Sequence, residues 1–292
     1  MLAAWDPDTD SSKAAPSKDA LARITRDLQD ALANPLPGIT VIPSADIRSC
    51  QAVVLGPADT PYDSAPFLFT VLFPCDYPFA PPKVKLLTTG GGVVRFGPNL
   101  YANGKVCLSI LGTWSGPSWL PCHTLSTVLL SIQSLMHAEA ARNEPGHEAA
   151  PLTEVRALNS VLAHEALRVA CLEQMRAARL GGMFSEDARD CLVSHFLCAG
   201  DALAARARAL APACDGSPFA EPPYARVVER GFLGGGGGTF RFAELAGLLE
   251  AELLALLGEE GAEGAEGATA PAPASAAGGG GAGSAGSAGA GP

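Results

Sequence analysis

The chain has 292 residues with a formal net charge of −10, and 48% of its residues are hydrophobic. A chain of this length and composition can bury one full core and an additional piece. Its acidic balance argues against a nucleic-acid partner, which would require a basic surface stripe.

The first residues, MLAAWDPDTDSSK, are acidic and polar and contain no apolar run behind a basic start. We therefore expect no secretory signal, and no stretch approaches the about 18 apolar residues that a membrane span needs. The eight cysteines include no CxxC pair. Unpaired thiols in a reducing compartment are the expectation, so the chain is predicted to be cytoplasmic or nuclear.

Along the chain, residues 1–16 are predicted to be disordered, and an α+β domain is predicted over residues 17–180. Ser17 is the expected N-cap of a helix that Asn34 and Pro35 end. Short turns separate the strand-like runs that follow, which favours an antiparallel meander over βαβ units. These runs are 38–44, 48–57, 66–74 and 83–89.

Helical patterns dominate the rest of the chain. Thr124 is the expected cap of a second helix, and a longer helical pattern runs from Leu158 to Arg179, where two glycines follow. Residues 181–257 are predicted to form an Ala-rich, mostly helical extension. The sequence of residues 258–292 is rich in Gly, Ala, Ser, Pro and Glu, which predicts a disordered tail.

Four residues of the extension offer metal-ligating side chains. Cys191, His195 and Cys198 fall on one predicted helix face, and Cys214 follows. Their spacing differs from that of common zinc knuckles, and cysteine is among the most often buried residue types. We interpret them as core-face residues and expect no metal site.

Cys107 lies in the segment FGPNLYANGKVCLSILGTW at 96–114, and it has two interpretations. A free cysteine behaves as a small hydrophobe and is often buried in a core. A cysteine thiolate is also a strong nucleophile and a good leaving group. The motifs around Cys107 are needed to choose between them.

These motifs resemble the ubiquitin-conjugating enzyme family. QAVVLGP at 51–57 is similar to the family's second strand, DYPFAPPKV at 76–84 to its Pro-rich turn, and PNLYANGKVCLSIL at 98–111 to its active-site segment. The resemblance covers about residues 17–176, and CLSILGTWSG, SIQSLM and NEPGHE further resemble the large Z-type enzymes with a C-terminal extension. It implies the family's α+β fold: an N-terminal helix, a four-stranded antiparallel meander, the cysteine segment and C-terminal helices.

The resemblance also implies roles for residues around the cysteine. Cys107 would accept the C-terminal carbonyl of ubiquitin, or of a ubiquitin-like modifier, as a thioester. Asn99 would donate to the oxyanion or brace the loop, unless it is an ordinary turn residue. Glu144 would activate the acceptor lysine, with a solvated loop carboxylate as the alternative and Glu148 as the next candidate. Gly97 stands where the family more often has His.

Partner-binding positions are implied in the same way. Phe79 matches the exposed apolar position that ligases grip. Arg23 and Arg26 match basic positions that meet the activating enzyme, and a solvated helix face is the alternative for each. Further ligase contacts are implied in a lengthened companion loop, at Trp114, Ser115 and Pro117.

The chain is thus expected to move the modifier from an activating enzyme to a lysine of a protein substrate, usually with a ligase. No metal or organic cofactor is expected, because ATP is consumed by the upstream activating enzyme. Two alternatives remain: a non-catalytic ubiquitin-binding variant of the same fold, and a cysteine hydrolase, which needs a His to activate its thiol. Histidines are available at 123, 137 and 147, but none stands in a hydrolase motif.

Overall fold

The computed structural model describes residues 15–181, 185–222, 227 and 238–267. The predicted disordered N-terminus lies outside these ranges except for its last two residues. Residues 268–292 of the predicted tail also lie outside them.

The first helix, α1 (Lys18–Ala33), begins at its expected cap. The Ser17 Oγ accepts a hydrogen bond from the backbone N–H of Ala20 at 3.1 Å, which satisfies one of the free donors of the first turn. Ile24 and Leu28 recur one turn apart and are buried in the core. This helix therefore packs against the core through Ile24 and Leu28.

Four strands form an antiparallel sheet in the order β1-β2-β3-β4. They are β1 (Ile39–Pro43), β2 (Ser49–Leu55), β3 (Pro66–Leu72) and β4 (Lys83–Leu86). The third strand, whose sequence is apolar on both alternating faces, pairs with β2 on one side and β4 on the other. The predicted α+β fold and its meander are confirmed.

Three helices follow the cysteine segment. Helix α2 (Leu125–Leu135) begins with a capping box in which Thr124 and Thr127 bond each other's backbone. Helix α3 (Leu152–Glu165) begins before the predicted Leu158, directly after Pro151, whose missing N–H costs nothing at a helix start. It continues through a π-helical stretch at Ala166–Glu173 into α4 (Gln174–Leu180), which ends at the expected Gly181.

A buried carboxylate marks the end of α3. Glu165 accepts hydrogen bonds from His164 Nδ1 at 2.8 Å and from Arg168. Burial by itself raises the pKa of Glu165, but the bonds from His164 and Arg168 outweigh it, so the pKa lies below its ordinary value. The other ring nitrogen of His164, Nε2, accepts from the backbone N–H of Arg241 at 3.3 Å, which ties α3 to the start of the last helix.

The extension contributes α5 (Glu186–Cys214) and α6 (Phe242–Gly267). The last helix passes the predicted boundary at Gly258, so residues 258–267 are helical where the sequence predicted disorder. The four Glu and two Ala of this stretch are good helix formers, whereas its four Gly are poor ones. None of the helices in the described ranges has the length and apolar character to cross a membrane.

Side chains of α5 hold the loop between β2 and β3. His195 Nε2 donates to the carbonyl of Ser64 at 2.8 Å. The Arg206 guanidinium donates to three backbone carbonyls of residues 60–63 at 2.8 to 3.0 Å. The predicted domain boundary at 180/181 stays a prediction, and these contacts cross it.

Candidate active site

Cys107 lies in a segment that folds back on itself after β4. Leu100 and Val106 form an isolated antiparallel bridge, and the backbone N–H of Cys107 donates to the carbonyl of Asn99 at 2.8 Å. The turn through residues 101–105 therefore brings Asn99 beside Cys107. This geometry explains why the two residues are separated by eight positions in the sequence.

The Asn99 side chain completes this pairing. Its Nδ2 donates to the carbonyl of Cys107 at 3.0 Å, and the residue is only 4% exposed. Its Oδ1 is buried and has no hydrogen-bond partner within the described residues. The contact supports loop bracing, one of the two implied roles, whereas donation to an oxyanion stays a prediction.

The Cys107 thiol is buried, and charged side chains lie around it. The residue is 2% exposed, and burial raises the pKa of its thiol; Lys105 and Arg95 oppose the shift, and Glu144 adds to it. Cys50 in β2 provides a contrast, because burial alone raises its pKa to about 12. Charged neighbours of both signs thus distinguish Cys107 from that core thiol.

Glu144 is one of these neighbours. It follows a 3₁₀ turn at Ala140–Asn143, and its Oε2 accepts a hydrogen bond from Arg95 Nη2 at 3.2 Å. Glu148 instead turns back to its own loop, where its Oε1 accepts from the backbone N–H of Gly146 at 3.1 Å. The electrostatic coupling to Cys107 therefore favours Glu144 over Glu148 as the acidic residue of the site.

Arg95 is the site residue that the sequence did not single out. Its Nε donates to the carbonyl of Gly97 at 2.9 Å, and its Nη2 donates to the carbonyl of Pro98 at 2.8 Å. The guanidinium lies 4.2 Å from the centre of the Tyr101 ring. The one available signal was an arginine just before the Gly-Pro-Asn turn, and spacing alone does not say where its side chain points.

The turn at Gly97 is adapted to glycine. Gly97 has a φ of +100°, and a Cβ there would lie 3.0 Å from the hydroxyl of Tyr62. That hydroxyl donates to the carbonyl of Phe96 at 3.1 Å. Tyr62 and Arg95 thus hold this turn in a chain that lacks the His more common in the family.

Residues 23–157 match the family model described as ubiquitin-conjugating enzyme. Residues 23–157 are a ubiquitin-conjugating enzyme domain. The chain is similar to ubiquitin-conjugating enzyme E2 Z of Homo sapiens, with 46% identity over 181 residues that cover 60% of this chain and 51% of the relative. It is also similar to E2 Z of Danio rerio, with 46% identity over 177 residues that cover 59% and 53%.

A third relative is the dual E2 ubiquitin-conjugating enzyme/E3 ubiquitin-protein ligase BIRC6 of Homo sapiens. It is 54% identical over 103 residues, which cover 34% of this chain and 2% of that protein. The matches to the Z-type relatives span about half of their length. The resemblance to the Z-type conjugating enzymes is confirmed.

The histidines of the conjugating domain do not support a hydrolase. His123 Nδ1 accepts from the backbone N–H of Leu120 at 3.1 Å, and His137 Nε2 lies 3.1 Å from Asn143 Oδ1. Within the described residues, no histidine contributes to the electrostatic environment of Cys107. A thiol–imidazole pair of the kind that hydrolases use is therefore not assembled in that part of the chain.

The implied ligase surface is exposed on the conjugating domain. Phe79 is 79% exposed, and Trp119 Nε1 donates to the carbonyl of Pro78 at 2.7 Å, which joins the Pro-rich turn to the companion loop. In that loop, the structure leaves Ser115 and Pro117 exposed and half-buries Trp114. Ligase binding at these residues stays a prediction that their accessibility favours.

The two arginines of α1 differ. Arg23 donates to Asp27 at 2.8 Å and to the carbonyls of Pro121 and His123 at 2.7 and 2.6 Å. Its guanidinium therefore fixes α1 to the loop before α2. Arg26 is exposed to solvent, so it fits a contact with the activating enzyme better than Arg23 does.

The four candidate metal ligands of the extension have other environments. His195 bonds the carbonyl of Ser64, Cys198 is exposed, and Cys191 and Cys214 are partly buried. In the described ranges, no three His, Cys, Asp or Glu side chains are placed to hold a metal ion.

Proposed function

We propose that this chain is a ubiquitin-conjugating enzyme. Cys107 takes ubiquitin or a ubiquitin-like modifier from an activating enzyme as a thioester and passes it to a substrate lysine, usually with a ligase. The observation that carries the proposal is the arrangement around Cys107: its backbone is bonded to Asn99, and its thiol lies within the field of the Arg95–Glu144 pair.

Loading is an acyl exchange between sulfur atoms. The Cys107 thiolate attacks the modifier's terminal carbonyl carbon, a new C–S bond forms, and the bond to the activating enzyme breaks. The Cys107 proton ends on the departing thiolate or in solvent. The exchange needs no oxidant and no bound cofactor, and ATP is spent one step earlier.

Discharge onto lysine has a protonation problem. An unperturbed lysine has a pKa of about 10.4, so near pH 7 about one amine in two thousand is neutral. Glu144 can orient the ammonium and take its proton as the C–N bond forms, a role for which general bases typically supply about 10²–10⁴-fold. A negative charge alone would raise the lysine pKa, so the benefit comes from positioning, desolvation or proton acceptance.

The partners follow from the exposed surfaces. Phe79 and the companion loop are proposed to bind the ligase, and α1 is proposed to meet the activating enzyme through Arg26. All eight cysteines lie in the described ranges, and none of them forms a disulfide there. A reducing compartment, the cytoplasm or nucleus, fits this thiol chemistry.

The test is a loading assay with activating enzyme, ATP and ubiquitin, run against a panel of modifiers. A reductant-sensitive adduct should form and should be lost in Cys107→Ala. Cys107→Ser should give a slower, reductant-resistant ester, because alkoxide is a poorer leaving group than thiolate. A fully loaded Cys107→Ala protein contradicts the proposal, whereas a binding module loads nothing and a hydrolase cleaves conjugates.

The pH dependence of discharge to free lysine distinguishes the proposed role of Glu144 from that of Asn99. Glu144→Ala should leave loading intact and slow discharge near pH 7, and the defect should shrink toward pH 10, where the amine loses its proton unaided. Asn99→Ala should slow discharge at every pH. Wild-type discharge by Glu144→Ala at neutral pH would remove Glu144 from the site.

A further inference from the structure

We propose that Arg95 is a positioning residue for transfer of the modifier to lysine, because one guanidinium fixes both the turn before Asn99 and the carboxylate of Glu144. This inference rests on the proposed function. It adds to the site a residue that does not itself touch the reacting atoms and acts through Glu144.

The first argument is the number of groups that Arg95 joins. Its Nε and Nη2 donate to the carbonyls of Gly97 and Pro98, and Nη2 also donates to Glu144 Oε2 at 3.2 Å. Residue 144 is far from residue 95 in sequence and lies in a loop after a 3₁₀ turn. Arg95 is therefore a side-chain link between the Glu144 loop and the segment that carries Asn99.

The second argument concerns precision. The side chain of Arg95 is 13% exposed and that of Glu144 is 23% exposed, so the pair is partly shielded from solvent. The ring of Tyr101 packs against the guanidinium at 4.2 Å, and the backbone N–H of Arg95 donates to the carbonyl of Val227 at 2.7 Å. Both ends of Arg95 are thus held, which limits the positions that the Glu144 carboxylate can take.

The third argument is about charge. A carboxylate close to Cys107 opposes formation of the thiolate, and Arg95 acts in the opposite sense. Pairing with Arg95 lets Glu144 lie near the thiol with its repulsion partly offset. Only Oε2 of Glu144 is used in the pair, and within the described residues Oε1 makes no hydrogen bond that would keep it from an incoming amine.

The test substitution is Arg95→Lys, which keeps the positive charge. A lysine ammonium is a point charge and cannot reproduce the planar fork that reaches two carbonyls and a carboxylate together. We expect loading of Cys107 within about twofold of wild type. We expect single-turnover discharge to free lysine to slow by roughly tenfold or more, since misplacement of a reacting group by about 1 Å can cost 10²-fold.

Arg206→Lys is the matched control. Arg206 is also a partly buried arginine that donates to backbone carbonyls of a loop, and it contacts residues 60–63 instead of the active-site turn. Both variants lose comparable loop contacts, and urea unfolding measures how much stability each loses. Discharge by Arg206→Lys should equal that of wild type.

A double-mutant cycle with Glu144→Gln decides whether Arg95 acts through Glu144. In the Glu144→Gln background, Arg95→Lys should slow discharge by a clearly smaller factor than in wild type, because only the contacts to the turn before Asn99 are then lost. Equal slowing in both backgrounds overturns the inference, as does wild-type discharge by Arg95→Lys or a parallel loss of loading and discharge. These outcomes differ from failure of the proposed function, in which the wild-type protein itself forms no thioester.

Discussion

Replacement of Gly97 by alanine should destabilise the protein through two separable effects. At a φ of +100°, an L side chain strains the backbone by about 1–2 kcal/mol. The new Cβ would also lie 3.0 Å from the Tyr62 hydroxyl, which must shift by a few tenths of an ångström and thereby weaken its hydrogen bond to the carbonyl of Phe96. Complete loss of that bond would cost about 1–3 kcal/mol, so we expect a total loss that exceeds the strain alone and stays below about 5 kcal/mol.

Gly91→Ala is the control that measures backbone strain without a new side-chain contact. Gly91 has a φ of +70°, and a Cβ there meets nothing within 4 Å. The gain from a less flexible unfolded chain is the same for both Gly→Ala changes and cancels between them. Urea unfolding followed by tryptophan fluorescence should show a larger loss for Gly97→Ala than for Gly91→Ala.

Tyr62→Phe isolates the contact. It should cost less in the Gly97→Ala background than in wild type, because the hydroxyl bond is already weakened there. Equal losses for Gly97→Ala and Gly91→Ala would refute the contact with Tyr62. Gly97→His, which introduces the residue more common in the family, should lose at least as much as Gly97→Ala.

Three other expectations follow from the structure. A chain ending at Leu257 should load at the wild-type rate, and a large loss would show that the removed residues bind the activating enzyme or the core. The rate of Cys107 alkylation by iodoacetamide should keep rising with pH beyond the usual thiol pKa of about 8.5. The midpoint of this pH profile should move to higher pH in Lys105→Gln and to lower pH in Glu144→Gln. Opposite shifts would contradict the assigned charges. Because the pKa of Glu165 is lowered in the folded state, its ionised carboxylate stabilises the fold above the unfolded pKa of about 4.3, and this stabilisation is lost as pH falls through the folded pKa. Glu165→Gln should therefore cost about 1–3 kcal/mol at pH 7 and progressively less in acid, as measured by urea unfolding across pH.

Local signals were sufficient for much of the fold. The caps at Ser17 and Thr124 act within three residues of their donors, and the short turns between apolar runs leave little choice but a meander. The π-helical stretch at Ala166–Glu173 was not predicted, since its residues form a continuous helical pattern. The helix through 258–267 was missed because glycine and alanine content was read as disorder.

The site divides in the same way. Motifs predicted Cys107, Asn99 and Glu144 as site residues, but the contact between Arg95 and Glu144 depends on a turn with a positive φ and on the path of a distant loop. Arg23 shows the converse, because the alternative expected for it was a solvated helix face and it instead bonds carbonyls of its own chain, while its contact with a partner stays a prediction. Side-chain direction of this kind is set by tertiary packing, which residue type and spacing do not encode.

The hold of α5 on the β2–β3 loop has a consequence for cooperativity. The family match ends at residue 157, yet the carbonyls of residues 60–63 find their donors on Arg206, and Phe196 and Leu203 of the same helix are buried. A fragment cut at the end of the match would return these carbonyls to water and open an apolar face. The domain and α5 are therefore expected to melt in one transition, so that a substitution in α5 lowers the folded population of the whole domain without touching Cys107.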